Sequence, residues 1–187
     1  LIISDLHIGE FAKDRGRSQY MKQAVHDDRD FCQFLDYWDR HRIDQTPWHL
    51  VINGDFIDFI QMTFVPGKKR AHELKLTISE HEKDWGLKRD APRAAWMMKT
   101  VLARHSRLVT FLSDFIGNGN RVTIIRGNHD QAFYWPEVQN VFRQTMIEGY
   151  IGSEGSALER ETFSNRIQFL DWFLCLPDEL WIEHGAQ

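Results

Sequence analysis

The 187-residue sequence predicts an α/β layered fold in a single domain. Three observations lead to this class. Short apolar runs alternate with helical patterns, no repeat or low-complexity tract interrupts them, and the composition (42% hydrophobic and 27% charged residues) is that of a globular protein. Strands that are separated by helices pair in parallel through crossover connections. We therefore expect one domain over residues 1–187, built around a parallel sheet.

The short apolar runs are predicted to be the strands. LIIS at residues 1–4 is the first buried strand, HLVING at 49–54 the second and RVTIIRG at 121–127 the third. RIQFLDWFLCLP at 166–177 is predicted to be a further strand, and ELWIEHG at 179–185 another.

Helices are predicted where apolar residues recur at helical spacing. One runs from about Tyr20 to Arg42, and WPEVQNVFRQTM at 135–146 forms another. A single long helix begins after the N-cap residue Asp90 and ends at GNGN, residues 117–120. Its buried face is formed by Ala94, Met98, Val101, His105, Leu108, Leu112 and Phe115.

The net charge of −4 is unevenly distributed along the chain. Residues 61–107 hold eleven Lys or Arg and five Asp or Glu, whereas the rest of the chain holds twelve and twenty-two. A basic segment of +6 on a body of −10 is suited to an anionic substrate that approaches a carboxylate-rich site. A solvated helical face explains the segment equally well. The acidic body argues against nucleic acid, a long polyanion, as partner.

Cellular context follows from the cysteines and from the absence of targeting signals. Cys32 and Cys175 lie in apolar stretches, which favours free, buried thiols, a reducing compartment and hence a cytoplasmic location. No apolar run reaches the roughly 18 residues that a membrane span needs, and no signal peptide is recognisable. Because the first strand begins at Leu1, we expect residues upstream of it to be missing.

Polar side chains follow the strands at the point where each strand ends. The blocks are SDLH, GDFID, GNHD and EHG. They supply Asp5, His7, Asp55, Asp58, Asn128, His129, Asp130 and His184. Because the working site of such a sheet lies beyond the carboxyl ends of its strands, we expect these side chains to meet. Asp130 is left without a role, since helix capping explains it as well.

Carboxylates that lie close together without basic partners repel one another, so such a cluster indicates a bound cation. Oxygen and imidazole ligands without a thiolate favour Mn²⁺, Fe or Zn²⁺ over Ca²⁺. The glycines before Asp55 and Asn128 allow tight turns that bring both side chains to a common centre. Taken singly, Asp5 could cap a turn and His7 could be a core histidine.

Residues outside the four blocks are given structural roles. The other histidines, such as His105, carry no motif, so surface or packing roles are expected. Trp135, Trp172 and Trp181 are expected in the core rather than as stacking platforms for bases.

The four blocks, in this order and each at a strand end, resemble the signature of the calcineurin-like metallophosphoesterases. The resemblance spans Asp5 to Gly185. It implies a four-layer α/β/β/α metallophosphoesterase sandwich with a helical insert and a centre of two divalent metal ions, with Mn²⁺ favoured. It also implies hydrolysis of a phosphomonoester, a phosphodiester or a pyrophosphate. The oligomeric state, the substrate and the native metal are left open.

The resemblance implies a role for each side chain. Asp5 and His7 would ligate the first metal, Asp55 would bridge both metals, and Asn128 and His184 would ligate the second.

The proton chemistry is implied in the same way. His129 would stand off the metals and either stabilise the transition state or protonate the leaving oxygen, with Asp58 orienting its ring. A hydroxide held between the two cations would attack phosphorus in line, without a covalent intermediate.

The sequence departs from the family pattern in three places. The usual final GHxH block is missing, because the chain stops at HGAQ, and we expect a piece of a longer protein. Phe59 and Ile60 replace the Arg-Gly pair of the protein serine/threonine phosphatases, which argues against that branch. About seventy residues separate Asp58 from Gly127, so residues 61–90 are a candidate cap.

Two alternatives to a generic phosphoesterase stay open. SDLH and GDFID are similar to the corresponding blocks of the UDP-diacylglucosamine pyrophosphohydrolases, a branch that often carries Arg where His129 stands. A catalytically silent scaffold member of the superfamily is the second alternative. Such members tend to lose metal ligands or the acid histidine, whereas these residues are present here.

Overall fold

The computed structural model describes residues 1–9, 18–152 and 154–185. Four parallel strands form its main sheet, in the order in which they occur along the chain. They are β1 (Ile2–Ile3), β2 (His49–Asn53), β3 (Arg121–Ile125) and β4 (Ile167–Leu170). Two more, β5 (Phe173–Leu176) and β6 (Leu180–Glu183), form an antiparallel hairpin. The predicted parallel sheet is thereby confirmed.

Helices occupy most of the chain between the strands. They are α1 (Ser18–Arg40), α2 (Lys68–Glu73), α3 (Glu80–Trp85), α4 (Ala91–Arg104), α5 (Ser106–Gly117), α6 (Pro136–Ile151) and α7 (Ala157–Ser164). Two 3₁₀ turns lie at Ile43–Gln45 and Gln131–Tyr134. Among the described residues, no helix is both long and apolar enough to cross a membrane.

The main core lies between one face of the sheet and the helices α1, α4, α5 and α6. Leu50 and Ile52 of β2 and Val122 and Ile124 of β3 point into it and are buried. Alternate residues of a strand face opposite sides, so the intervening residues form the other face of the sheet. Each of the two central strands therefore contributes apolar side chains to two separate cores.

The second core is small and lies between the sheet and the β5–β6 hairpin. It contains Val51, Ile125 and Ile182. The described residues thus form three of the four expected layers, namely helices, sheet and hairpin, and the fourth stays a prediction. Trp172 and Trp181 are 53% and 54% exposed on the hairpin, so the expectation that they lie in the core is wrong. The aromatic Phe173 stacks on Trp181 instead, with ring centroids 4.0 Å apart.

Three predicted elements differ from the observed ones. RIQFLDWFLCLP is two strands, β4 and β5, because the chain bends at Asp171 and Trp172. The long helix after Asp90 is two helices, since His105 has non-helical dihedral angles (φ −100°, ψ 46°). The first strand is the edge of the sheet, and Ile2 is 52% exposed. Asp90 caps α4 as predicted, accepting a hydrogen bond from the amide of Arg93.

Both cysteines are free, as predicted, but only one of them is buried. Cys32 lies in the core, where burial and the neighbouring Asp28 carboxylate raise the pKa of its thiol to about 12. That thiol is protonated at neutral pH and unreactive. Cys175 is exposed on the hairpin, contrary to the expectation for both residues.

Residues 61–90, the candidate cap, are fastened to the body of the domain. Met62 and Leu87 are part of the main core. Glu82, at the start of α3, is 2% exposed, and its carboxylate accepts hydrogen bonds from Ser79 N (2.9 Å) and Arg93 Nε (2.7 Å). Burial alone would raise the pKa of Glu82, but the hydrogen bonds from Ser79, Lys88 and Arg93 lower it to about 2.

Replacing Glu82 with Gln should remove a pH-dependent part of the stability. Since the pKa of Glu82 is about 2 in the folded protein and ordinarily 4.5, its contribution is complete above pH 4.5 and disappears as pH falls through about 2. We expect Glu82→Gln to lower the free energy of unfolding by about 1–3 kcal/mol at pH 7, measured by urea denaturation.

Glu80→Gln is the matched control, because Glu80 is exposed and pairs only with Lys83 at the surface. Its effect should stay within about 0.5 kcal/mol. A deficit of Glu82→Gln that is unchanged between pH 7 and the lowest pH at which both proteins fold would contradict the assignment.

Candidate metal centre

The loops that follow β1 and β2 run side by side beyond the edge of the sheet. The amide of Asp5 donates to Gly54 O (3.2 Å) and the amide of His7 donates to Asp55 O (2.8 Å). The backbones of two of the predicted blocks, SDLH and GDFID, are therefore paired. Their acidic and imidazole side chains leave neighbouring points of the same edge, as the strand ends predicted.

Three side chains of the site project from backbone in the left-handed region. The φ angles are 56° at Asp5, 46° at His7 and 52° at Asp55. Such angles are uncommon outside glycine, although Asp and His tolerate them better than most residues. Non-glycine residues in strained conformations cluster at functional sites, where the surrounding structure holds them in place.

Two glycines allow the site to close up. A Cβ atom at Gly54 would lie 2.3 Å from the ring of His184, and one at Gly127 would lie 2.2 Å from Asp55 Oδ1. No side chain fits at either position. The two glycines therefore allow His184 and Asp55 to approach the loop backbones closely, while the convergence of Asn128 on the same centre stays a prediction.

Two groups of three side chains bring possible ligand atoms within 4.8 Å of one another. One group is His7, Asp55 and His129, and the other is Asp5, Asp55 and His184. Asp55 belongs to both: its Oδ2 lies 3.7 Å from His7 Nε2 and 3.5 Å from His184 Nε2. Its side chain is only 5% exposed. One buried carboxylate therefore lies between two potential cation positions.

His184 reaches the centre from the hairpin. Its Nδ1 forms a hydrogen bond of 2.8 Å with Asn53 O at the end of β2. This contact fixes the ring so that Nε2 faces Asp55. A backbone carbonyl that holds the outer nitrogen of an imidazole is the usual support for a metal-ligating histidine.

Asp58 lies between two imidazoles and is almost fully buried, with a side chain 1% exposed. Its Oδ2 forms a hydrogen bond of 3.2 Å with His7 Nδ1. Its Oδ1 accepts the amide hydrogens of Ile60 and Gln61 (both 3.0 Å) and lies 3.0 Å from His129 Nδ1. That last pair is at ion-pair distance, but His129 Nδ1 makes no hydrogen bond within the described part of the chain. Asp58 thus orients His7 as well as facing His129.

Asn128 occupies the loop after β3, between Gly127 and His129. Its side chain is half-buried and makes no hydrogen bond within the described part of the chain. The amide oxygen is therefore not committed to another group, which is compatible with its predicted role as ligand.

The sequence model of the calcineurin-like phosphoesterases matches residues 1–186. The chain belongs to this family. Membership implies a metal-dependent phosphoesterase, and the family typically binds two metals. Comparisons with curated proteins and with solved structures give no match.

The residues of this calcineurin-like phosphoesterase fit a pair of divalent cations. Within the described residues, the ion pairs of Asp5, Asp55 and Asp58 are all with histidine, so no Lys or Arg neutralises the cluster. Carboxylates at such short separation are stable together when cations lie between them. The donors are oxygen and imidazole nitrogen, which suit Mn²⁺, Fe and Zn²⁺.

The grouping of side chains differs in one respect from the implied roles. His129, which the resemblance places off the metals, belongs to the same donor group as His7 and Asp55, with ligand atoms within 4.8 Å of one another. Its ring also meets the ring of His7 edge-on, with centroids 4.6 Å apart. The individual ligand assignments of Asp5, His7, Asp55, Asn128 and His184 stay predictions.

Asp130, left without a role from the sequence, ties two of the loops together. It is fully buried, and its carboxylate accepts the amide hydrogens of Gly127 (2.7 Å) and Phe56 (2.8 Å). Burial raises the pKa of Asp130 to about 6, against these two hydrogen bonds, which favour the carboxylate. The sequence signal was the final D of GNHD, but one of its two partners, Phe56, is distant along the chain.

His105 is a second residue whose contribution the sequence did not reveal. It is 7% exposed at the junction of α4 and α5. Its Nδ1 lies 3.0 Å from Asp28 Oδ2 on α1, and its Nε2 lies 3.2 Å from Gly9 O. Because Gly9 follows Asp5 and His7 in the first loop, His105 fastens that loop to the helices.

Replacing Gly127 with Ala should weaken metal binding. The new methyl group would collide with Asp55 Oδ1 and with the backbone nitrogen of Asp55, and so displace the shared carboxylate. We expect Mn²⁺ to bind about 10–100-fold more weakly, measured by isothermal titration calorimetry on folded protein.

Gly67→Ala is the matched control, since a Cβ atom there meets nothing within 4 Å and φ is −61°. Mn²⁺ affinity should then stay within about twofold of the wild type. Equal Mn²⁺ affinity of Gly127→Ala and the wild type would show that the approach of Gly127 to Asp55 is not needed for binding.

Proposed function

We propose that this protein is an enzyme that hydrolyses a phosphomonoester, phosphodiester or pyrophosphate bond with two bound divalent cations. The observation that carries the proposal is the shared position of Asp55, whose carboxylate belongs to both donor groups. Two cations that share a carboxylate are the arrangement used for in-line displacement at phosphorus. Mn²⁺ is the first metal to test, because the donors are oxygen and nitrogen without thiolate.

The cations, when bound, supply Lewis acidity: they polarise the phosphoryl oxygens and lower the pKa of water. The chain contributes the frame around them. Asp55 is held by the amide of His129, which donates to Oδ1 (2.9 Å), so that Oδ2 is left to face His7 and His184. Preorganisation of this kind avoids rearrangement of the ligands during reaction.

His129 is proposed as the proton donor to the leaving oxygen. Its Nδ1 faces the buried Asp58 at 3.0 Å, which leaves Nε2 for the substrate. Its side chain is 24% exposed, so a substrate can reach it. A carboxylate behind an imidazole is a common means of orienting a general acid.

The substrate is proposed to be a small phosphate-containing molecule. The acidic body of the chain disfavours a long polyanion, whereas the basic segment 61–107 favours approach of a small anion. Family membership implies a phosphoester but does not identify it. The similarity to UDP-diacylglucosamine pyrophosphohydrolases therefore stays one candidate among several.

The direct test is turnover of bis(p-nitrophenyl) phosphate with added Mn²⁺. We expect hydrolysis that depends on the metal and falls at least about 100-fold in Asp55→Asn, because the shared ligand loses its charge. Asp84→Asn, which removes an exposed carboxylate from α3, is the control and should keep full activity. Absence of turnover with Mn²⁺, Fe²⁺ and Zn²⁺ would favour the silent scaffold alternative.

The role of His129 can be tested by varying the leaving group. With p-nitrophenolate, which leaves without a proton, His129→Gln should lose less than about tenfold in kcat. With diesters of an aliphatic alcohol, which needs protonation, the loss should be about 100-fold or more. His72→Gln, an exposed histidine on α2, serves as control. An equal loss with both leaving groups would assign His129 to the metal rather than to proton transfer.

A further inference from the structure

A cleft of about 510 Å³ adjoins the metal centre. Gly127 forms part of its wall, and the same glycine lies against Asp55. The other side chains that matter in it are Arg89, Arg126, Tyr134 and Trp135. A substrate whose scissile phosphate lies at the cations could therefore extend past Gly127 toward this cleft.

Among the described residues that line the cleft, two carry a guanidinium group and none carries a carboxylate. Arg89 donates from Nε to Phe59 O (3.3 Å) and from Nη2 to Ile60 O (3.1 Å). Both partners are neutral carbonyls, so these bonds position the guanidinium without cancelling its charge. Its Nη1 has no hydrogen-bond partner within the described part of the chain. Arg89 thus keeps donors for an oxyanion, for which guanidinium is the best suited side chain.

Arg126 carries the second positive charge. Its Nη1 lies 3.6 Å from Asp171 Oδ1, whose side chain is 70% exposed, whereas the Arg126 side chain is 24% exposed. A pair at this distance with so exposed a partner is screened by solvent. Arg89 and Arg126 therefore place two guanidinium groups in the cleft beside the acidic side chains of the candidate metal centre.

Aromatic rings form the outer part of the cleft. Tyr134 is 58% exposed, and the Arg126 guanidinium lies over its ring, 5.6 Å from the centroid. Trp135 meets Tyr134 edge-on, with centroids 5.2 Å apart, and its Nε1 donates to Arg89 O (2.9 Å). The rings are thus fixed beside the two arginines. Tyr134 thus provides an exposed face on which a planar heterocycle can stack, whereas Trp135 is partly buried against the main core and supports the edge of that ring.

We infer that this cleft is a second subsite, which binds a nucleoside phosphate portion of the substrate. The inference rests on the proposed hydrolase function and names its substrate class. Arg89 and Arg126 bind a phosphate next to the scissile one, and Tyr134, supported by the partly buried Trp135, stacks on the base. The basic segment 61–107, which contains Arg89, thereby has a specific task rather than a general solvated role.

The test is binding of ADP to the full chain, measured by isothermal titration calorimetry with Mn²⁺ in excess over nucleotide. We expect ADP to bind more tightly than inorganic phosphate. Arg89→Gln and Arg126→Gln should each weaken ADP binding about tenfold, since each removes a charge-assisted hydrogen bond. Tyr134→Ala should weaken it about fivefold, and Tyr134→Phe, which keeps the ring, should restore the affinity.

Arg70→Gln is the matched control, because it removes one charge from the same basic segment outside the cleft, where Arg70 pairs with the exposed Glu73. Its ADP affinity should stay within about twofold of the wild type. Inorganic phosphate binding should change by less than about twofold in Arg89→Gln, because the metal centre alone binds it. ADP affinity that is unchanged in Arg89→Gln, or no tighter than that of phosphate, overturns the inference.

The outcomes separate this inference from the proposed function. Turnover of bis(p-nitrophenyl) phosphate without arginine-dependent ADP binding rejects the subsite and keeps the hydrolase. Arginine-dependent ADP binding in a protein that hydrolyses no phosphodiester keeps the subsite and rejects catalysis.

Discussion

The site depends on the placement of a single carboxylate, that of Asp55. Its Oδ1 accepts the amide hydrogen of His129 at 2.9 Å, and its Oδ2 faces the imidazoles of His7 and His184. This division of the two oxygens is possible only because the loop after β3 lies against the loop after β2, with no Cβ atom at Gly127 between them. Two potential cation positions therefore follow from one backbone approach at the edge of a parallel sheet.

Two buried residues, Asp130 and His105, hold the loops after β1, β2 and β3 in place without belonging to either donor group. The buried Asp130 accepts amide hydrogens from both the β2 and the β3 loops, and His105 joins the β1 loop to the helices through Gly9 O. Buried polar groups with satisfied hydrogen bonds specify a unique arrangement, because every alternative leaves one of them without a partner. The candidate ligands can then project from strained backbone while the supporting hydrogen bonds stay in the protein interior.

The part of this site that depends on strand ends and glycine turns could be predicted from the sequence. A strand end places a polar residue at the sheet edge, and a glycine permits close approach, so the convergence of Asp5, Asp55 and His184 could be expected from the sequence. The break at His105 could not, because its helical pattern continues and its partners Asp28 and Gly9 are distant in sequence. The exposure of Trp181 was equally hidden, since a hairpin strand and a core strand have the same apolar composition.

The strained residues and the core are parts of one arrangement. Asp5, His7 and Asp55 have φ angles near 50°, each of which costs on the order of 1–3 kcal/mol. The residues next to them, Ile8 and Phe56, are fully buried, and burial of such side chains contributes about 1.5–3 kcal/mol each. Because burial and strain fall on adjacent residues, the loop cannot relax without exposing its apolar side chains. The hydrophobic core therefore maintains the positions of these three candidate ligands.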